Sequence, residues 1–149
     1  MIRFFGGRVM TLANGIETQD IEVWTEGSKI VFVGKPTAEE LDGKVFEREY
    51  DLKGNLLMPS FKNAHTHSAM TFLRSYADDM PLQDWLFKQI FPMEAKLDGE
   101  KVYWLTKLAI LEYLTTGCTA AFDMYFELDD YVKACIESGF RSVLCGAVS

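Results

Sequence analysis

Two histidines separated by one residue are the part of this sequence best suited to chemistry. They are His65 and His67, the only histidines among 149 residues. On a β-strand, residues i and i+2 point to the same face, with Cα atoms roughly 6.6 Å apart. Two imidazoles placed side by side can bind one metal ion. Chance proximity is the alternative, because this spacing alone is weak evidence of a site.

The position of the pair along the chain favours a site. A short apolar run at residues 56–58 ends at Pro59, and residues 60–64 lead directly into His65. We read this as an apolar strand followed by the histidines. Parallel α/β folds place their sites at the carboxyl ends of strands, where this pair would lie.

The sequence beyond residue 55 predicts alternating helices and strands. A helix at 81–91 is expected to end or kink at Pro92. Asp98 is a suitable N-cap for a second helix that ends near Gly117. Its apolar face is predicted to consist of Trp104, Leu108, Leu111 and Leu114. A strand at 118–124, a helix at 129–138 and a strand at 141–148 follow, which indicates a parallel sheet covered by helices.

The first 55 residues have a different pattern. Short β-rich runs at 2–12, 21–25, 29–33 and 45–52 alternate with turn residues. This pattern is typical of an antiparallel sheet.

In the helix at 129–138, Val132, Cys135 and Ile136 are predicted to share the buried side.

Composition excludes several classes of protein. Twenty-two acidic and fifteen basic residues give a net charge of −7, which opposes binding to nucleic acid or anionic lipid. No apolar stretch approaches the roughly 20 residues that span a bilayer, and the N-terminus does not resemble a signal peptide. Cys118, Cys135 and Cys145 are widely spaced in apolar segments, as expected of buried reduced thiols. We therefore expect a cytoplasmic protein without a membrane or nucleic-acid partner.

The residues around the histidines resemble a known family. The segment LMPSFKNAHTHSAMT at 57–71 resembles the first barrel strand of the amidohydrolase superfamily, particularly its chlorohydrolase, cytosine-deaminase-like and methylthioadenosine/S-adenosylhomocysteine-deaminase branch. The resemblance covers essentially the whole chain. Its further matches are Leu73-Arg74, Ala77-Asp78-Asp79, Pro81-Leu82 and Asp84-Trp85-Leu86.

This resemblance implies a fold and a metal site. Residues 1–55 would be the N-terminal part of a small β-sandwich, and residues 56–149 the first three βα units of a (β/α)8 TIM barrel. His65 and His67 would bind a catalytic divalent ion, zinc in the first place and iron as the alternative. In the family, metal-activated water attacks a ring carbon and ammonia leaves. The substrate would be a small amino-substituted heterocycle.

The remaining ligands of the family have no counterpart in the chain. They are a histidine and an aspartate on the fifth and eighth strands, and the chain has no third histidine. We therefore expect a fragment whose two-histidine site is incomplete and inactive alone. Three strands cannot close a barrel, so the missing strands would come from a partner or from self-association.

Two further residues are candidates for the site. Trp85 would line the substrate entrance and stack on a heteroaromatic base, or it packs in the core. Asp123 would orient a site residue, or it caps a helix or a loop. Gln83 and Cys145 stand approximately where nucleoside-deaminating relatives have an acidic residue and an arginine, which weakens a specific claim for methylthioadenosine.

Three hypotheses about function remain open. The chain is either the N-terminal segment of a metal-dependent deaminase or a non-catalytic scaffold that is stabilised by association with other chains. A metal site built between chains is a third hypothesis.

Overall fold

The computed structural model describes residues 1–13 and 15–146, which form two compact units. The first unit comprises residues 1–59, and the second begins at Ser60. Strands and helices are both present, and none of the helices in the described ranges combines the length and apolar character needed to cross a membrane.

The first unit contains two small sheets. One sheet has the strand order β5-β4-β1-β6, and the other has the order β3-β2-β7. The elements described in this unit are β1 (Ile2–Phe5), β2 (Arg8–Thr11), β3 (Glu17–Gln19), β4 (Glu22–Glu26), β5 (Lys29–Gly34), α1 (Ala38–Leu41), β6 (Arg48–Asp51) and β7 (Leu56–Leu57). Val9, Val23 and Trp24 are its buried apolar residues.

The prediction of an antiparallel sheet is wrong for two strand pairs. β1 pairs antiparallel with β4 but parallel with β6, and β2 pairs antiparallel with β3 but parallel with β7. Parallel neighbours need long connections, and β6 and β7 reach their partners only after most of the unit has been traversed. The side-chain pattern of a strand does not encode the direction of its partner.

The predicted strand at 2–12 is divided by two glycines. Gly6 has a φ of +70°, a conformation that glycine adopts without steric cost. A Cβ atom on Gly7 would lie 2.4 Å from the carbonyl oxygen of Asn55. The chain therefore changes direction here and enters the second sheet.

The second unit contains a parallel sheet with the order β10-β9-β8, as its alternating pattern predicts. Its elements are β8 (Phe61–Thr66), a 3-10 helix (Ser68–Leu73), α2 (Leu82–Asp84), a π-helical segment (Trp85–Ile90), α3 (Phe91–Glu94), α4 (Gly99–Thr115), β9 (Cys118–Tyr125), α5 (Leu128–Ser138) and β10 (Arg141–Gly146). Residues 147 and 148 of the last predicted strand lie outside the described residues.

The strand that leads to the histidines is β8, not the apolar run at 56–58. Leu56 and Leu57 form β7 in the first unit. Pro59 lacks a donor N–H and separates the two strands. His65 lies within β8, and His67 follows its last residue.

The helix predicted after Asp98 is confirmed as α4. The Asp98 side chain accepts a hydrogen bond from the Lys101 backbone N–H at 3.0 Å, and Gly117, with a φ of +82°, follows the helix. The helix predicted to end or kink at Pro92 does not end there but continues as α3 to Glu94. In the π-helical segment before Pro92, the Phe91 N–H reaches back five residues to the Leu86 carbonyl. The five-residue spacing of this hydrogen bond occurs directly before Pro92, which has no N–H to donate.

The prediction of which face of α4 is buried is wrong. The four residues of that face are exposed, and they are Trp104, Leu108, Leu111 and Leu114. The face that is buried instead consists of Val102, Thr106, Ala109 and Ile110. α5 and the 3-10 helix pack against α4, and small side chains on the buried face allow close approach.

The buried side of α5 also differs from the prediction. Cys135 is buried together with Tyr131 and Ala134, whereas Ile136 is 74% exposed. Two of the cysteines are buried as expected, but Cys145 is exposed. The core of the unit is formed by Ala69, Val102, Ile110, Ala121, Tyr125, Tyr131, Cys135 and Phe140.

Adjacent residues of α4 provide a test of this packing. Ile110 is 2% exposed and Leu111 is 59% exposed. We expect Ile110→Ala to lower the free energy of unfolding by about 2–5 kcal/mol, because it leaves a cavity in the core. Leu111→Ala should change it by no more than about 0.5 kcal/mol. Urea denaturation followed by circular dichroism measures both values, and a larger loss for Leu111→Ala would contradict the observed face.

Candidate metal centre and adjoining cavity

The two histidine rings lie next to each other at the carboxyl end of β8. Their centroids are 5.0 Å apart and the ring planes cross at 82°. His65 is exposed and His67 is half-buried. The pairing of β8 with β9 shifts register between Asn63 and Thr66, which marks a bulge or irregularity at this point. Bulges near sites re-aim side chains, and here the rings stay adjacent although the strand is not regular.

The ring of His67 is oriented by a backbone carbonyl. Its Nδ1 lies 2.8 Å from the carbonyl oxygen of Met124 on β9. A carbonyl only accepts hydrogen bonds, so Nδ1 carries the proton and Nε2 keeps its lone pair. A histidine that binds a metal is commonly oriented in this way. The two histidine side chains therefore fit a divalent ion that takes two of its ligands from this chain.

A third ligand is not found in the described ranges. Among these residues, no group of three or more His, Cys, Asp or Glu side chains is arranged to hold an ion. A catalytic zinc site normally has three protein ligands. The pair would therefore supply two of the three protein ligands of such a site.

Asp123 is buried behind the histidines rather than beside them. Its side chain is 0% exposed, and its two carboxylate oxygens accept hydrogen bonds from the Ser68 backbone N–H at 3.2 and 3.3 Å. Ser68 begins the 3-10 helix that follows His67. Asp123 therefore caps the segment to which His67 is attached, which is the second of the two roles considered for it from sequence.

A cavity of about 800 Å³ adjoins His67. His67 and Trp85 both line it, so the structure brings together two of the residues singled out from sequence. Most of the other lining side chains are apolar, among them Met70, Leu86, Ile90, Phe91 and Met124. Cavities with apolar walls and a few polar groups are typical of small-molecule sites.

Glu94 is a cavity residue that the sequence interpretation missed. It lies nine residues after Trp85, and regular α-helical spacing would place the two on opposite faces. The π-helical segment lies between them. Its hydrogen bonds span five residues, so each residue turns the chain through a smaller angle and both side chains reach the cavity. No periodicity rule applied to the sequence would have paired them.

Tyr125 also lines the cavity. Burial raises the pKa of its hydroxyl, and the nearby carboxylate of Glu94 raises it further. Tyr125 is therefore neutral at physiological pH. Glu94 and Glu127 both line the cavity, and carboxylate oxygens accept hydrogen bonds from a ligand group that donates them.

Comparison with known proteins adds to this geometry. The model of the amidohydrolase family matches residues 56–148. The chain is 43% identical over 123 residues to a 5-methylthioadenosine/S-adenosylhomocysteine deaminase of Desulfitobacterium hafniense, which is 83% of this chain and 28% of that protein. It is 53% identical over 95 residues to a 5'-deoxyadenosine deaminase of Methanoregula boonei, which is 64% of this chain and 22% of that protein.

A solved structure is similar over nearly the whole chain. It is a zinc-bound adenosine deaminase from Xanthomonas campestris, with a TM-score of 0.88 and 34% sequence identity over 95% of this chain and 33% of that one. The chain thus spans about a quarter to a third of the proteins it matches. The match to the family model over residues 56–148 establishes that the chain belongs to the amidohydrolase family.

Proposed function

We propose that this chain is the metal-binding N-terminal segment of a hydrolytic deaminase that acts on an amino-substituted heterocycle. The observation that carries the proposal is the pair of adjacent imidazoles, of which His67 has its ring oriented by Met124 and lines a mostly apolar cavity. The deaminase relatives support the reaction class.

We propose His65 and His67 as two ligands of a divalent ion, with zinc preferred and iron as the alternative. When bound, such an ion lowers the pKa of a water molecule towards roughly 7, which supplies a nucleophile at neutral pH. The zinc in the Xanthomonas neighbour supports zinc. The remaining ligands must come from chain segments beyond those described.

The other residues of the site would bind and orient the substrate. The Trp85 ring offers a flat face for stacking on a heteroaromatic base. Glu94 would accept a hydrogen bond from a hydroxyl or amino group of the substrate, and the apolar walls would exclude water. Asp123 would hold the Ser68 amide, and through it the position of His67.

An adenine nucleoside is the substrate class that we favour. Two relatives are named for deamination of adenosine derivatives. The cavity of about 800 Å³ lies within the roughly 300–1,000 Å³ typical of small-molecule sites. Gln83 and Cys145 leave the group attached to the ribose undefined.

We further propose that the second unit, which begins at Ser60, contains the first three units of a (β/α)8 barrel and that the first unit, residues 1–59, is part of a β-sandwich. The parallel order β10-β9-β8 and the helices between these strands support the barrel assignment. In the described residues, β8 and β10 each pair on one side only. Side chains on one face of the sheet, including Phe122 and Val143, are exposed.

Metal titration tests the histidine pair. The chain should bind one Co²⁺ or Zn²⁺ weakly, because two ligands are fewer than the three of a catalytic site. His65→Ala and His67→Ala should each abolish binding, measured by calorimetry. Cys145→Ser removes an exposed thiol and should leave binding unchanged. Equal binding by all four proteins would favour the non-catalytic scaffold.

A chimeric enzyme tests the reaction class. This chain would replace the matching segment of the Desulfitobacterium deaminase, and ammonia release from 5'-methylthioadenosine and adenosine would be measured. We expect activity that falls by more than about a hundredfold in His65→Ala, because the metal stabilises the transition state by several kcal/mol. Lys62→Met on the same strand is the control and should retain activity. A chimera that folds and binds zinc without releasing ammonia would contradict a deaminase.

The unpaired strand edges predict self-association. The chain alone should elute with a mass above 17.0 kDa in size-exclusion chromatography with light scattering. Val143→Lys on β10 should reduce association, since a charge on an edge strand disfavours pairing. Ile136→Lys, on the exposed side of α5, is the matched control and should not. A compact monomer of 17.0 kDa would contradict this expectation.

A further inference from the structure

The residues on either side of His67 contact the same hydroxyl group. Thr66 Oγ1 lies 2.6 Å from Tyr113 Oη, and Ser68 Oγ lies 3.0 Å from the same oxygen. Tyr113 belongs to α4, so this hydroxyl joins the helix to the strand end across 47 and 45 residues of sequence. A phenol group has one proton and can also accept, so it can satisfy both partners at once.

Through these two contacts, α4 holds the residues immediately before and after His67. The Met124 carbonyl holds its ring, and the Asp123 carboxylate holds the following amide. Tyr113 adds the only contact in the described residues that joins the side chains immediately before and after His67. With both neighbours fixed, the backbone of His67 cannot turn without breaking a hydrogen bond.

We propose that Tyr113 is a positioning residue for the metal-binding pair. Its hydroxyl fixes the backbone at residues 66–68 and thereby keeps His67 directed at Met124, with Nε2 free. The part of this inference that concerns metal rests on the function proposed above. The part that concerns the orientation of His67 does not.

A role in stability alone is the competing explanation. The Tyr113 ring stacks on Phe140, with centroids 5.5 Å apart and an angle of 22° between the planes. Tyr113→Phe keeps this ring and removes only the hydroxyl. Tyr103→Phe is a matched control, because Tyr103 lies on the same helix and its hydroxyl also bonds other side chains. Tyr103 Oη accepts a hydrogen bond from Lys107 Nζ at 2.9 Å and donates one to Glu137.

The first measurement is long-range ¹H–¹⁵N NMR of the His67 ring in metal-free chain, in alkaline buffer where imidazoles are neutral. The native chain and Tyr103→Phe should show one tautomer with the proton on Nδ1. Tyr113→Phe should show a mixture of tautomers. The second measurement is the Kd for Co²⁺, which should rise about tenfold in Tyr113→Phe and stay unchanged in Tyr103→Phe.

Thr66→Val extends the test to the other end of the hydrogen bond. It removes one of the two contacts with Tyr113 and should change the tautomer signal in the same direction, but less. The inference is overturned if Tyr113→Phe keeps the native tautomer, or if Tyr103→Phe disturbs it equally. If the native chain binds no cobalt, the proposed metal site fails, and the NMR result still decides the role of Tyr113.

Discussion

Side chains at the end of β8 point in two directions, and the site depends on that division. The rings of His65 and His67 lie together, while the intervening Thr66 points to Tyr113 on α4. A metal site requires ligands held in a narrow range of positions, which rigid elements provide better than loops. Here the strand end is fastened by the helix layer on one side and by β9 on the other. His67 is therefore held in place by groups on α4 and β9.

Burying Asp123 behind the site costs free energy, which its hydrogen bonds and the surrounding packing offset. Asp123 is fully buried, and a buried carboxylate is stable only when it is hydrogen-bonded. Its bonds to the Ser68 amide meet part of this requirement and at the same time begin the 3-10 helix. The buried residues Ala69, Ala121 and Tyr125 adjoin these groups in sequence and belong to the core cluster. The same core that stabilises the unit thus immobilises the residues behind the site.

Local signals in the sequence predicted much of this arrangement, and signals that depend on partners did not. Asp98 and Gly117 mark helix ends through their own local chemistry, so both ends of α4 could be predicted. Which face of α4 is buried depends on what packs against it, and the pattern of leucines indicated the wrong side. The histidine spacing revealed the pair. Met124 contributes a backbone carbonyl, and every residue type has one, so nothing in the sequence indicates this contact. Glu94 reaches the cavity because of the π-helical segment, which helical periodicity does not predict.

X-ray absorption spectroscopy of the chain loaded with one equivalent of zinc tests the central claim most directly, because it identifies the atoms around the ion. The account predicts two imidazole nitrogens at roughly 2.0–2.1 Å, with oxygen completing the coordination. Scattering without imidazole, or a sulfur shell at roughly 2.3 Å, would contradict it, because the ion would then be bound by groups other than His65 and His67.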